Sequence, residues 1–396
     1  RQYCLNPFTV EQLKHTVVFL LYISKVKSEN SGDSSKVLSP AAVLSLCSCG
    51  EKTSFSPKTK KTEPEDQNIR ITAAWSRKAA IHIHGGKHVC VSGLRGDSEQ
   101  QDEEFRGLVV ESEGCEDALI TERYLILRFA DRVECWSQLT PAGKALAWSR
   151  VWDSPDNTGD TVTLPLVPGG YIESKPPFFR PLSTELCAVS LALGTEHAVL
   201  LTTSGTVYTW GSGSHGQLGQ GSVVSEDEPR AVEALWGVPM NHVSAGGWHS
   251  ACISAGGDLY IWGWNESGQI GLPSKGLNDE SQKGQSTGKD KRTMNKGEDD
   301  IFISIQAFPA LVDVPEMCEI RKVSCGSRHT AATTSTGNLY TWGWGHYGQL
   351  GHGSKCSSDQ PKAVEYFSKN GMFVEDVVCG LWNTFVSAVP KEHRFS

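Results

Sequence analysis

The sequence predicts an all-β fold, a single β-propeller of about six four-stranded blades, or seven, closed by an N-terminal strand. Three observations carry that prediction. First, VSAGGWHSACISAGGDLYIWGWNESGQIG (residues 243–271) recurs as LALGTEHAVLLTTSGTVYTWGSGSHGQLG (191–219) before it and VSCGSRHTAATTSTGNLYTWGWGHYGQLG (323–351) after it. Self-similarity at a period of about fifty residues belongs to units that cannot bury a hydrophobic face alone and must stack on their neighbours. Second, each copy holds two short strand-like runs around a glycine turn. Third, forty glycines and twelve tryptophans fit a glycine-punctuated β architecture.

Within a copy the residue types justify the elements. Ala251-Cys252-Ile253-Ser254 and Leu259-Tyr260-Ile261-Trp262 flank Gly256-Gly257-Asp258, where an antiparallel hairpin needs a positive φ. Trp262-Gly263 and Gly268-Gln269-Ile270-Gly271 place glycines where the backbone must bend or approach a neighbouring blade closely. The tryptophans Trp210, Trp262 and Trp342 suit packing of blade on blade.

In chain order, residues 1–42 match no repeat and form an N-terminal segment of uncertain structure, and residues 43–396 form the propeller. Residues 43–50, VLSLCSCG, read as a strand and are the candidate that closes the ring. Residues 71–93 are a degenerate copy in which Ala74-Trp75-Ser76 stands for Gly-Trp-His; residues 119–138 are a second, with Trp136 in the tryptophan slot. Residues 159–185 read as a linker, and its Pro176-Pro177-Phe178-Phe179-Arg180-Pro181 is either a strap on the propeller wall or a docking motif. Residues 51–68, the acidic 95–117 and the polar 274–300 are expected to be flexible loops. The last copy, 377–386, stops short of its Trp-Gly, so another strand must complete that blade. A closed ring leaves no open edge. One closing, two degenerate and three clear copies make six blades; a seventh exists if residues 139–166 hide one.

Composition narrows the function. A net charge of −8 argues against binding nucleic acid through global charge, so direct DNA binding is not expected. The apolar run at residues 17–23 is far shorter than a membrane span, and no membrane partner is expected. The twelve cysteines are scattered over strand positions, where a reduced, buried thiol is the ordinary reading. Cys47-Ser48-Cys49 lacks the spacing of a zinc or redox site.

No enzyme constellation emerges, and neither cofactor nor metal is expected. His197, His249 and His329 occupy one slot of successive copies, so they should be spread round the ring, each bonding its own blade's backbone. His82, His84 and His88 have no carboxylate nearby in sequence to complete a ligand set. Residues 284–289, GQSTGK, lack the spacing and flanking elements of a phosphate loop.

What remains is a surface. The two residues between Gly and His in each copy fall on a turn at equivalent points of the ring and should share one face. Glu196, Trp248, Arg328 and Trp382, with Trp75 from a degenerate copy, include the residue types that dominate binding hot spots. The alternative is that these aromatics plug the central channel. Asn265, Glu266, His346 and Tyr347, between Trp-Gly and Gly-Gln, are secondary candidates at another edge.

The pattern Gly-x-x-His-(Ser/Thr/Ala), x-x-Gly-x-(Leu/Val)-Tyr-x-Trp-Gly and Gly-Gln-(Leu/Ile)-Gly resembles that of the regulator of chromosome condensation repeat family, which forms β-propellers. The resemblance implies a nuclear, chromatin-associated scaffold, with a cytoplasmic pool allowed. It implies a Jumonji-C 2-oxoglutarate oxygenase as partner, with roles in histone H3 lysine-36 methylation and chromosome segregation. It also implies two alternatives: guanine-nucleotide exchange on a Ran-like GTPase, or direct docking on histones or the nucleosome. The exchange residues of the family cannot be placed on this sequence.

Overall fold

The structure, a computed structural model, describes residues 17–21, 69–74, 79–83, 88–94, 104–140, 143–152, 163–278 and 301–391. Among them are seven antiparallel sheets, five of four strands and two of three. Blade 1 consists of Ile69–Ala73, Ala79–Ile83, His88–Leu94 and Glu104–Glu111; blade 2 of Cys115–Ile120, Leu125–Phe129, Arg132–Thr140 and Gly143–Val151. Blade 3 is the small sheet Leu166–Val167, Gly170–Ile172 and Phe179–Pro181. Blades 4, 5 and 6 carry the three clear copies, opening at Ala188–Leu193, Met240–Ala245 and Ile320–Cys325. Their outer strands are Glu226–Ala231, Ile305–Leu311 and Ser358–Ala363. Blade 7 pairs Met372–Cys379 with Thr384–Pro390, and Val17–Leu21 adds a third strand against the latter.

Three expectations are corrected, and a fourth lies outside the described residues. The seventh sheet lies at Leu166–Pro181, inside the stretch read as a linker, and it has three strands rather than four. Its Phe178 is buried against Tyr124 and Trp148 of blade 2, so that ring serves as packing. The strand that pairs with the C-terminal hairpin is Val17–Leu21; residues 43–50, the sequence candidate, lie outside the described residues. The stretch 95–117 is not one loop: Glu104–Glu111 is the outer strand of blade 1 and Cys115–Ile120 the first of blade 2, while 95–103 lie outside the described residues. Finally, Cys90 is disulfide-bonded, whereas eight other described cysteines are free.

The core lies between the sheets. Val199, Leu201 and Val232 of blade 4 pack with Met240, Val243 and Trp262 of blade 5; Ile253, Ile261 and Ile270 of blade 5 pack with Val323, Tyr340 and Trp342 of blade 6. The second strands His197–Thr202, His249–Ser254 and His329–Thr334 are buried at every position, so both of their faces are covered by neighbouring blades. Polar ties join the degenerate half. Buried Asp117 of blade 2 pairs with Arg70 of blade 1 and accepts from Leu164 N at 2.7 Å, while Arg70 donates to Leu164 O at 2.9 Å. Among the described residues no helix is long and apolar enough to cross a membrane.

Candidate functional site: the Gly-x-x-His face

The strand register explains the repeat motif. His197, His249 and His329 stand opposite Gly211, Gly263 and Gly343, and the next residues, Ala198, Ser250 and Thr330, stand opposite Trp210, Trp262 and Trp342. Gly263 has φ +111°, and a Cβ there would lie 2.5 Å from the Trp248 carbonyl oxygen, so only glycine fits. The close approach lets Trp264 N donate to Trp248 O at 2.9 Å, and Trp344 N to Arg328 O at 2.8 Å. The Gly-x-x-His turn and the residue after Trp-Gly are thereby held side by side.

The histidines do not bond their own blades, as expected from sequence; they cross to the next blade. His197, His249 and His329 Nε2 meet the hydroxyls of Ser250, Thr330 and Thr384 at 2.8, 2.9 and 2.9 Å. Each hydroxyl spends its single proton on a backbone carbonyl, that of Gln217, Gln269 or Gln349, at 2.7, 2.7 and 2.9 Å. The imidazole must therefore donate from Nε2, which fixes a neutral tautomer. Trp262 and Trp342 Nε1 donate to the same Gln217 and Gln269 carbonyls at 2.8 and 3.0 Å. The motif's His, hydroxyl, Gln and Trp thus form one inter-blade seam.

Burial lowers the pKa of these histidines to about 4 for His197, about 3 for His249 and about 4 for His329. Their folded values lie below the unfolded value near 6.5, so the unfolded chain takes up protons first. The stability they contribute is complete above about pH 6.5. It falls as pH drops toward about 4, by up to about 1.4 kcal/mol per pH unit for each histidine. The melting temperature is expected to hold steady above pH 7 and to fall between pH 6.5 and 5. A flat profile down to pH 5 would contradict the neutral seam.

The same architecture lines up the candidate surface. Successive turns bond to one another round the ring: Thr195 N to Gly246 O at 3.1 Å, Gly247 N to Gly326 O at 3.0 Å, and Ser327 N to Leu381 O at 2.9 Å. Glu196, Trp248, Arg328 and Trp382 therefore stand in a row over blades 4 to 7. Glu196 is exposed and the other three are half-buried; Trp75 lies outside the described residues.

The loops after Trp-Gly join this row. His215 of blade 4 stacks on Trp248 and Trp264 of blade 5 at 5.8 and 5.5 Å, the two tryptophans meet edge-on at 5.4 Å, and the Arg328 guanidinium lies 4.5 Å over Trp264. Trp344 of blade 6 contacts His346, Tyr347 and Trp382 at 5.0, 4.6 and 5.0 Å. His346 and Tyr347 are thus on this face rather than at another edge, brought there by Trp344. Tyr347 is 58% exposed. Asn265 is no surface group at all. It is fully buried, its Nδ2 donates to Leu272 O and Ile303 O at 2.9 Å each, and its Oδ1 accepts from Ile270 N. Glu266 beside it is exposed.

Sequence reading missed His215, Trp264 and Trp344. Their signal was a register: each sits one to four residues past a Trp-Gly whose partner strand begins at the candidate turn. Chemically the face offers flat aromatic area, one guanidinium already seated on a ring, and a carboxylate at one end. Among the described residues no group of three His, Cys, Asp or Glu side chains gathers as a metal site. The side chains of His82, His84 and His88 lie outside the described set, as does the basic run from Lys289 to Lys296.

Comparison with known proteins agrees with this architecture. Models of the "Regulator of chromosome condensation (RCC1) repeat" match residues 204–253, 256–333 and 336–387, and, in a second form, 188–217, 241–269 and 320–349. RCC1 domain-containing protein 1 of Homo sapiens is 41% identical over 81% of this chain and 88% of its own length; that of Mus musculus is 39% identical over 83% and 89%. Among solved structures, Prp20p of Saccharomyces cerevisiae, studied for its binding to Gsp1p and histones, matches with TM-score 0.63 over 96% of this chain and 94% of that one. At 16% identity, that likeness speaks for the fold. The repeats, the seven sheets and the long match to RCC1 domain-containing protein 1 together place this chain in the regulator of chromosome condensation (RCC1) repeat family.

Proposed function

We propose that this chain is a non-enzymatic nuclear scaffold whose Gly-x-x-His face binds a Jumonji-C 2-oxoglutarate oxygenase. In that role it supports histone H3 lysine-36 methylation control and chromosome segregation. The observation that carries the surface is the row of turns bonded one to the next, which presents Trp248, Arg328 and Trp382 with Trp264, Trp344 and Tyr347 as one aromatic stripe. Rigid aromatic and arginine side chains at the centre of a preformed patch are what dominate protein interfaces. The partner's identity is drawn from the resemblance to RCC1 domain-containing protein 1. The oxygenase's iron would be held by the partner.

A second reading is guanine-nucleotide exchange on a Ran-like GTPase, favoured by the fold shared with Prp20p, a protein studied with Gsp1p and histones. The degenerate blades 1 to 3 weigh against it. Quantitative affinity purification from nuclear extract separates the two. Selective recovery of a Jumonji-C oxygenase supports the scaffold; recovery of a nucleotide-free small GTPase in its place overturns it in favour of exchange. Recovery of nucleosomes alone, lost on deleting residues 274–300, would instead assign the contact to the basic loop.

A further inference from the structure

The seams between blades 4 and 5, 5 and 6, and 6 and 7 are each sealed by a backbone carbonyl, that of Gln217, Gln269 or Gln349. The seam between blades 3 and 4 has no such carbonyl among the described residues. Blade 3 contains no Trp-Gly and no Gly-Gln-Leu-Gly, and the hydroxyl position on the blade 4 side is Ala198. Trp210 Nε1, the counterpart of Trp262 Nε1, is left with a long 3.4 Å contact to Tyr171 Oη.

A cleft of about 910 Å³ opens there, walled by the last strand of blade 3 and the outer strand of blade 4. Blade 3 carries no fourth strand among the described residues, so Phe179–Pro181 is its edge. His197 also lines the cleft, is 5% exposed, and has no partner for Nδ1.

The walls are acidic. Glu173 is neutralised by Arg180 at 3.1 Å. Glu185, Glu196, Asp227 and Glu228 are exposed and have no ion-pair partner among the described residues; Lys175 is the remaining cation of the lining. Four unpaired carboxylates in one concavity attract cations and repel one another. Glu196 also belongs to the row of Gly-x-x-His turns, so the cleft continues that face at its blade 4 end.

We propose that this cleft receives an extended, basic segment of the protein partner. Its backbone would take the place that the Gln-bearing loop holds in the other seams, and its Lys or Arg side chains would meet Glu185, Glu196, Asp227 and Glu228. Extended segments that add to an open sheet edge gain affinity from their main chain and specificity from alternate side chains. This proposal rests on the reading of the Gly-x-x-His face as the partner surface, and it adds the chemistry of what docks at its end.

The test uses the intact chain and a fluorescein-labelled peptide of about ten residues alternating Arg and Ser, a length suited to one strand, with a Glu-Ser peptide as counterpart. Fluorescence anisotropy should report binding of the Arg peptide only. Glu196→Lys/Asp227→Lys/Glu228→Lys, all at exposed positions, should weaken it about tenfold or more. Glu233→Lys/Glu319→Lys/Glu365→Lys, equal in charge and outside the cleft, should leave it unchanged. Equal losses in both variants would reduce the effect to net charge and overturn the proposal, as would no loss in the first. Oxygenase recovery by the cleft variant at the level of the parent chain would sink this proposal while leaving the scaffold reading intact. Peptide binding at the cleft without oxygenase recovery by the parent chain would do the reverse.

Discussion

Replacing Trp262 with alanine is expected to lower the free energy of unfolding by about 3–5 kcal/mol, the range for truncating a fully buried tryptophan. Trp262 is 0% exposed, packs between blades 4 and 5, and donates Nε1 to the Gln217 carbonyl at 2.8 Å. Truncation leaves a cavity at a seam that the ring geometry cannot close by local collapse. It also removes one of the two donors to Gln217, the other being Ser250 Oγ. Trp262→Phe keeps most of the packing and loses that donor, so its cost should be about 1–2 kcal/mol. Trp236, 63% exposed, is the control, and Trp236→Ala should stay within about 0.5 kcal/mol of the parent. Urea denaturation checks all three. A Trp262→Ala cost below about 1 kcal/mol would mean that blade contacts do not carry the fold.

This seam shows what the sequence could and could not disclose. The three full copies announced blades 4 to 6, their hairpins and the packing of Trp262 and Trp342, because one glycine and tryptophan pattern repeats there without interruption. Blade 3 escaped because its strands are two or three residues long and carry none of the motif. A closing strand was sought at 43–50, which lies outside the described residues; the pairing observed, Val17–Leu21 with Thr384–Pro390, joins residues too far apart in sequence for any local pattern to signal.

The histidine partners were readable in principle. The residue after His is Ser250 or Thr330 in two copies and Ala198 in the first, and that hydroxyl is what the preceding blade's histidine meets. Reading each copy as a unit hid a bond that exists only between copies. For the same reason Tyr347 and His346 were set apart from Trp382, since only the stacking of blades brings Trp344 and its loop onto the next turn.

The candidate surface residues were legible as types rather than as an arrangement. Trp248 and Arg328 stood out as large side chains at a turn beside a buried histidine, and Trp382 as the residue in the same slot of the last copy, where Asn383 replaces the histidine. In the structure they are half-buried in mutual ring contacts, so each is held in place before any partner arrives. Such preorganisation limits the side-chain ordering that binding must supply.

That the aromatic stripe is the partner surface is tested by isothermal titration of the purified oxygenase partner with the parent chain and with Trp248→Ala/Arg328→Ala. Each side chain is expected to act as a hot spot of about 2 kcal/mol, so the double variant should bind about a hundredfold or more weakly. Its stability should fall by only about 1–2 kcal/mol, the value of the ring and cation–π contacts it loses. Affinity within a factor of about two of the parent, in a variant that remains folded, would contradict the claim and return the aromatic stripe to a purely structural role.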